Sequence, residues 1–404
     1  MDLDEQIISE MKDFILEFCE KVGSRSPCSN NESKAAKLFN SKLKSLGFNV
    51  ITEEFSVHPG AYKASFRLPM ILFILSILFY WIYPLISLII SILSCLILIG
   101  EMYFVKEVID IFFPNKYSQN IISKIESQNQ VRNLIIVGSH IDSNWEFPLI
   151  RKLGYGFIII ISINLILNII LLIILPIKII VNFFELETDF FSIELTFYLI
   201  FIGSVPIALI QFFFIISNRP VMGANDNLSG MAICYAIAKY HSISENRLRN
   251  TELWINAYGC EEIGAKGSKF FVKKYFNIIE NAKVINLDMV GYKSSPILIH
   301  KSEILGLVKM DNYLIELIRD LAKKLNIDVK IASSMAYTDS LSFARKKIKA
   351  TSMSSIPQSS KEFYYHTRND VIENIDFKNL INVYKICINL IKTIDEQKDI
   401  KNII

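Results

Sequence analysis

Surplus charge is nearly absent: 43 basic and 40 acidic residues leave a formal net charge of +3 across 404 residues. So small a surplus supplies no general basic field, and no nucleic-acid partner is expected. Paired cysteine spacing is missing as well. Cys19, Cys28, Cys95, Cys234, Cys260 and Cys387 are scattered with no CxxC and no metal-finger spacing, which reads as buried free thiols rather than a disulfide framework. The opening stretch MDLDEQIISEMKDFILEF lacks the basic start and apolar core of a cleaved signal peptide. It carries Leu3, Ile7, Ile8, Met11, Phe14, Ile15 and Phe18 at helical spacing instead, an amphipathic helix. There is neither an internal repeat nor a low-complexity linker.

Apolar sequence is in excess. Hydrophobic residues make up 51% of the chain and the mean hydropathy is +0.35, more than a soluble enzyme of this size usually shows. The surplus is concentrated in two regions. The first, about 68–105, is too long for one helix across ~30 Å of hydrocarbon at ~1.5 Å per residue. Pro84, beside Trp81 and Tyr83, marks an interfacial turn between two short spans. The second region has one apolar run at 154–174, then Pro176 and the polar patch ELETD, then another run at 191–217. Four transmembrane spans in two hairpins are therefore expected, 62–116 and 151–219, each leaving and returning on the same side. They interrupt a discontinuous soluble domain made of 1–61, 117–150 and 220–404.

Around the hairpins the pattern is α/β: a mixed central sheet flanked by helices. Helices are expected at about 3–22 and 32–46, the second stopping at Gly47. Strands are expected at 48–57 and near 119–126. The run LIIVGSH at 134–140 is continuous and apolar, as in a strand covered on both faces. The short polar link SQNQVRN suggests that 119–126 and 134–140 pair antiparallel. A helix at about 228–242, strands at 251–259 and 284–291, and a C-terminal helix with Phe377, Leu380, Ile381, Tyr384, Ile388, Ile391 and Ile394 on one face complete the pattern.

Ionisable residues recur where the apolar strands end. His140 closes LIIVGSH and is followed by Asp142; Asp226 lies in GANDN; Glu261 and Glu262 follow INAYG; Asp288 ends INLD; His366 lies in YYHTRND. Ligands of open α/β sheets bind in the crevice beyond the carboxyl ends of strands, so residues distant in sequence converge there. Two imidazoles with several carboxylates and no thiolate suit a divalent metal with mixed nitrogen and oxygen ligands, zinc first, with manganese or cobalt as alternatives. His58, His241 and His300 lie outside these motifs and read as surface or packing residues.

The pieces GSHIDS, GANDNLSG, YGCEEIGAKGS, INLDMVG, YTDSLSF and YYHTRND, in that order, resemble the M28 zinc peptidases, the aminopeptidase-type co-catalytic metallopeptidases. They cover about 280 residues at both ends of the soluble portion. Removing 151–219 as an insertion leaves only a compact loop between His140 and Asp226. The resemblance implies a zinc-aminopeptidase-like fold and two divalent metal ions. Asp226 would bridge them, with His140 and Asp288 completing one shell and Glu262 and His366 the other. Glu261 would be the general acid/base for attack by a metal-bridging hydroxide on a peptide carbonyl. Asp142 is expected to hydrogen-bond the second nitrogen of the His140 imidazole, and Asp370 either to support His366 or to cap the following turn. Tyr365 is a candidate for substrate contact. So is Asp339, which keeps its place in the late motif although Ser340 stands where the family pattern has histidine.

The implied function is a membrane-embedded di-zinc aminopeptidase acting on short or membrane-associated peptides, with the lipid bilayer as its second partner. A glutaminyl-cyclase-like acyltransferase using one zinc is the alternative on the same scaffold. A non-enzymatic receptor or chaperone is disfavoured because every ligand position and the base hold competent residues. Arg67, Lys106, Arg151, Lys152 and Arg219 flank the spans on the soluble side, against Lys178 among Glu185, Glu187 and Asp189 on the other. That bias predicts a cytoplasmic catalytic domain. Both hairpins leave from the sheet edge that carries His140, so the cleft is expected near the bilayer. Nothing in the pattern sets an oligomeric state.

Overall fold

In the computed structural model, residues 3–186, 190–357 and 359–397 are described. The chain divides into two compact units. One comprises residues 1–57, 116–144 and 220–404, the other 58–115 and 145–219. The first carries the central sheet.

Chain order begins with α1 (Leu3–Lys21) and α2 (Asn30–Ser45). The hydroxyl of Ser29 accepts the Glu32 N–H at the start of α2, and Gly47, at φ +87°, ends it as expected. Strand β1 (Asn49–Val57) follows, then α3 (Pro59–Phe79) and α4 (Pro84–Ile97). Next come β2 (Lys116–Ile125), β3 (Asn133–His140), α5 (Pro148–Leu153), α6 (Phe157–Phe183) and α7 (Phe190–Phe214). The chain continues through α8 (Ser229–Ser242), β4 (Thr251–Tyr258), α9 (Lys266–Ile279) and β5 (Lys283–Leu287). It ends with β6 (Ile297–Glu303), β7 (Val308–Lys309), α10 (Asn312–Lys324), β8 (Val329–Ser333), α11 (Ser340–Ala344), β9 (Lys349–Ser355) and α12 (Phe377–Glu396).

Among the described residues, the first unit holds a mixed sheet of nine strands in the order β1-β2-β4-β3-β5-β9-β6-β7, with β8 against β6. Strands β4, β3, β5 and β9 are parallel, and β1, β2, β6 and β7 add antiparallel edges. One face buries Phe14, Phe18, Phe39, Ile135, Val137, Met231, Ile255, Ile318 and Ile391 among the residues of its core. The other buries Ile136, Trp254, Tyr258, Phe271 and Phe343. Burial on both faces explains why the β3 and β4 sequences are continuously apolar. The expected antiparallel pairing of 119–126 with 134–140 is overturned: β2 pairs with β1 and β4, while β3 lies between β4 and β5. A polar link favours a hairpin locally, but the α8 crossover delivers β4 into the gap between them. The directions still agree, since β4 is antiparallel to β2 and parallel to β3.

Among the described residues, the second unit holds four helices long and apolar enough to cross a membrane: Pro59–Phe79, Pro84–Glu101, Pro148–Phe183 and Phe190–Phe214. The first starts nine residues ahead of the apolar run, at Pro59 in the first helical turn, and the third passes through Pro176 without ending. Tyr80, Trp81 and Tyr83 stand at the α3–α4 turn, as a headgroup-level turn would have them. Phe73, Ile77, Leu171, Leu175, Phe201 and Ala208 pack together inside. Of the polar patch between α6 and α7, Glu187 and Asp189 lie outside the described residues.

Candidate metal centre

The site forms beyond the carboxyl ends of the parallel strands. Register sets His140 of β3 opposite Tyr258 of β4, one residue before the Gly259-Cys260 step into the glutamate doublet. Asp288 follows the last residue of β5. Asp226 stands ahead of α8, and His366 arrives on the loop ahead of α12. A side chain at Gly259 would place its Cβ 2.3 Å from Ser118 Oγ and 2.6 Å from the Gln119 carbonyl, so only glycine lets the doublet's loop lie against β2.

All five expected ligands and Glu261 converge, each at most 5% exposed. Asp226 divides its carboxylate between two groups. Its Oδ1 lies 3.1 Å from His140 Nε2, which is 3.7 Å from Asp288 Oδ1. Its Oδ2 lies 3.2 Å from His366 Nε2, which is 2.8 Å from Glu262 Oε2. Donors on a tetrahedral zinc with bonds of ~2.0–2.1 Å lie ~3.3 Å apart, a separation these distances bracket. His140, Asp226 and Glu262 offer ligand atoms all within 4.8 Å of one another. Glu261 Oε1 and Glu262 Oε1 are buried with no hydrogen-bond partner. Orphaned acceptors of this kind are costly unless a cation takes them, so the donor set fits a metal.

The electrostatics agree. Burial drives Glu261 well above the usual carboxylate range; His140 opposes the shift, and Asp339, Asp288 and Glu262 add to it. Glu262 is pushed up to about 7 by burial and by Asp226, and Asp288 is raised by burial. Burial would raise Asp226 too, but its contacts with His140 and His366 win and hold it below the ordinary range. The imidazoles respond in the opposite sense. Burial disfavours their charge, yet the carboxylates around His140 carry it well above normal, and Glu262 and Asp226 carry His366 to about 9. Bound dications would satisfy this acid excess and return the carboxylates to the ionised form.

Two expected supports act on the backbone of the site. The Asp142 carboxylate accepts the N–H groups of Glu261 (3.0 Å) and Glu262 (3.1 Å) and also pairs with His140 Nδ1 at 3.6 Å, which meets the Asp142 carbonyl at 3.0 Å as well. Asp370 supports Asp226: its oxygens accept the N–H groups of Asn225 and Asp226. Tyr365 stacks on the His366 ring at 3.6 Å between centroids. Asp339 is fully buried, and burial lifts it to about 8. Ser340 ends a chain of buried hydroxyls through Ser352 (2.6 Å) and Thr338 (2.6 Å) to Glu303 (2.7 Å). His300 and His241 are buried and His58 is half-buried, with His300 bonded to Ser354 and Glu303, which fits packing roles.

Three residues went unread in the sequence. Arg25 is wholly buried and donates to the carbonyls of Ile141 (2.8 Å), Met222 (2.8 Å) and Gly223 (2.9 Å), tying together the loops that carry His140 and Asp226. Glu32 accepts the Cys260 N–H at 2.9 Å. Asn144 donates to Glu262 Oε2 at 2.8 Å and lies 3.1 Å from His366 Nδ1. The only signal was the density of polar residues in GSRSPCSNNE and SHIDSN.

The fold is that of solved zinc aminopeptidases. A zinc aminopeptidase from Bacillus subtilis is 16% identical with a TM-score of 0.59, the alignment covering 97% of this chain and 96% of that one. An aminopeptidase from Aneurinibacillus sp. strain AM-1 is 15% identical with a TM-score of 0.58, covering 96% and 95%. A glutaminyl cyclase from Bacteroides thetaiotaomicron is 14% identical with a TM-score of 0.55, covering 97% and 98%. At such identities the likeness is one of fold. No curated protein matches the sequence. Residues 204–391, however, are similar to the family described as Peptidase family M28, and that stretch contains Asp226, the glutamate doublet, Asp288 and His366.

Proposed function

We propose that the chain is a membrane-embedded di-zinc aminopeptidase that hydrolyses the N-terminal peptide bond of short or membrane-associated peptides. The observation that carries this reading is the split of Asp226, whose two oxygens face two separate ligand groups. His140 and Asp288 would hold one ion, Glu262 and His366 the other, with Asp226 between them. When bound, the ions supply Lewis acidity, polarising the scissile carbonyl and making water easier to deprotonate.

The chain's own residues do the rest. Glu261 Oε1, buried and without a hydrogen-bond partner, takes the proton from the attacking water and returns it to the departing amine. A carboxylate raised by burial suits this two-way traffic, because an ordinary one would hold the proton too weakly to deliver it. Asp142 fixes the backbone from which Glu261 and Glu262 diverge, and Tyr365 holds the plane of the His366 ring by stacking. Asp339, buried and also without hydrogen-bond partners, would contact the substrate or its neighbouring ligand.

The four apolar helices would anchor the enzyme, and the basic flanks Arg67, Lys106, Arg151, Lys152 and Arg219 would keep the catalytic unit cytoplasmic. Labelling of a cysteine placed at Glu185 by an impermeant reagent added outside is the result expected; protection there, with labelling at Lys106, reverses the orientation.

Metal analysis of the purified protein, combined with a peptide-library cleavage profile read by mass spectrometry, tests the function. Two ions per chain and loss of single N-terminal residues are expected. One ion with pyroglutamate formation would favour a glutaminyl-cyclase-like acyltransferase.

A further inference from the structure

Cys260 directly precedes the glutamate doublet, and its Sγ lies 3.4 Å from that of Cys28, 232 residues away in sequence. Both residues adopt left-handed backbone conformations, Cys28 at φ +58° and Cys260 at φ +52°. Side chains other than glycine are disfavoured there, so each position tolerates strain to present a thiol. Cys260 is buried and Cys28 is half-buried, which leaves one sulfur of the pair open to small reagents.

Glu32 binds both cysteines through their backbones. Its Oε2 accepts the Cys28 N–H at 2.7 Å, and its Oε1 accepts the Cys260 N–H and the Ser118 hydroxyl, both at 2.9 Å. Two sulfurs and a carboxylate could form a third metal site, and their ligand atoms are close enough. With the carboxylate already taken by three donors, two sulfurs remain, short of the four ligands a structural zinc requires. The same hydrogen bonds hold the two thiols face to face.

We propose that Cys28 and Cys260 are a peroxide-sensitive thiol pair whose closure to a disulfide displaces the backbone carrying Glu261 and Glu262 and turns the peptidase down. The half-buried Cys28 thiol attacks hydrogen peroxide: the O–O bond breaks, the sulfur is oxidised to sulfenic acid, and water leaves. The Cys260 sulfur then attacks that sulfenic sulfur. The S–S bond forms as the S–O bond breaks, and the departing hydroxide takes the Cys260 proton as a second water. Each cysteine sulfur is oxidised by one electron and one peroxide is reduced by two. Closure brings the sulfurs from 3.4 Å to ~2.05 Å, a shift passed to Glu261 one residue on. Misplacement by ~1 Å at a catalytic group costs on the order of 100-fold in rate.

The activity arm rests on the peptidase reading, whereas bond formation is measured without it. Full-length protein in detergent would be treated with hydrogen peroxide, alkylated, digested and mapped by mass spectrometry, and assayed on a cleaved peptide. A Cys28–Cys260 linked peptide, a loss of activity of tenfold or more, and recovery of both on adding dithiothreitol are expected. Cys28→Ser should keep its basal activity and resist peroxide. Should that variant misfold, Cys28→Gly, which accepts φ +58°, replaces it. Both thiols remaining alkylatable after peroxide would overturn the proposal, as would equal inactivation of wild type and variant. A thiolate-to-cobalt absorption band on adding cobalt(II), absent in Cys28→Ser, would overturn it in favour of a metal site. A linked peptide with no change in activity would also overturn it, and a linked peptide from a protein inactive on every peptide would overturn the peptidase reading alone.

Discussion

Asp370 holds Asp226 by its backbone: Asp370 Oδ2 accepts the Asp226 N–H at 3.0 Å while Oδ1 accepts that of Asn225 at 2.7 Å. Asp142 does the same to Glu261 and Glu262. Two buried carboxylates thus each clamp a pair of consecutive N–H groups, and each clamped pair carries residues of the metal centre. Asp370→Asn keeps the volume but turns one acceptor into a donor, leaving an N–H unpaired at ~1–3 kcal/mol. Because Asp226 faces both ligand groups, both metal equivalents should bind about 10–100-fold more weakly by titration against a chelator. Unchanged affinity in a folded variant would remove Asp370 from this role.

Glu261→Gln preserves shape while removing the group that carries the proton. Turnover should fall about 100- to 10,000-fold with two ions still bound. Activity near wild type would discard the assigned base.

Glu262→Ala removes one partner of His366 and of Asn144 at once. Metal content should drop from two equivalents toward one, with the His140 and Asp288 set retained. A variant that keeps both ions contradicts the ligand assignment.

His241 predicts an acid-side loss of stability. Burial pushes it down to about 4, and its Nδ1 meets the Asn246 carbonyl at 2.7 Å. The unfolded chain, with an ordinary imidazole near ~6.5, takes up a proton between those values while the folded one does not. Stability from this residue is therefore complete above ~6.5 and is lost as pH falls toward 4, by about 3 kcal/mol at most. Denaturant unfolding of wild type and His241→Asn at pH 7 and pH 5 should show a smaller acid penalty in the variant; identical slopes would refute it.

In the second unit, Lys178 and Glu194 form a buried ion pair, with the ammonium 3.7 Å from the centre of the Trp81 ring. Removing either partner strands the other charge and should cost ~3–5 kcal/mol. Lys178→Met with Glu194→Leu should recover most of it, measured by thermal unfolding in detergent. A double variant as unstable as the worse single one would show that the pair itself is indispensable.

How far the site was legible follows from where its residues lie. His140 and Asp288 were readable because apolar strands stop abruptly at an ionisable residue, and the Glu261-Glu262 doublet for the same reason. Glu32 was not, since it reaches the doublet from a segment 228 residues away, and Asn144, although it lies in the loop just after His140, sits on no periodic pattern. Arg25 is similar: a wholly buried arginine serving carbonyls resembles any loop arginine in sequence. Strand existence was legible from apolar runs, but the placement of β4 between β2 and β3 was not, because pairing is set by crossover geometry.

The joints of the catalytic unit have a practical consequence. Val57 is the register partner of Lys116 across β1 and β2, and the Val221 N–H donates to the Asn144 carbonyl at 3.0 Å. Each gap left by a missing hairpin is thus about the ~5 Å between paired strands, within reach of a two-residue turn. The apolar helical segments are removable cassettes in this sense: a chain with two tight turns in their place would keep the proposed metal centre in a form suited to crystallisation and metal titration without detergent.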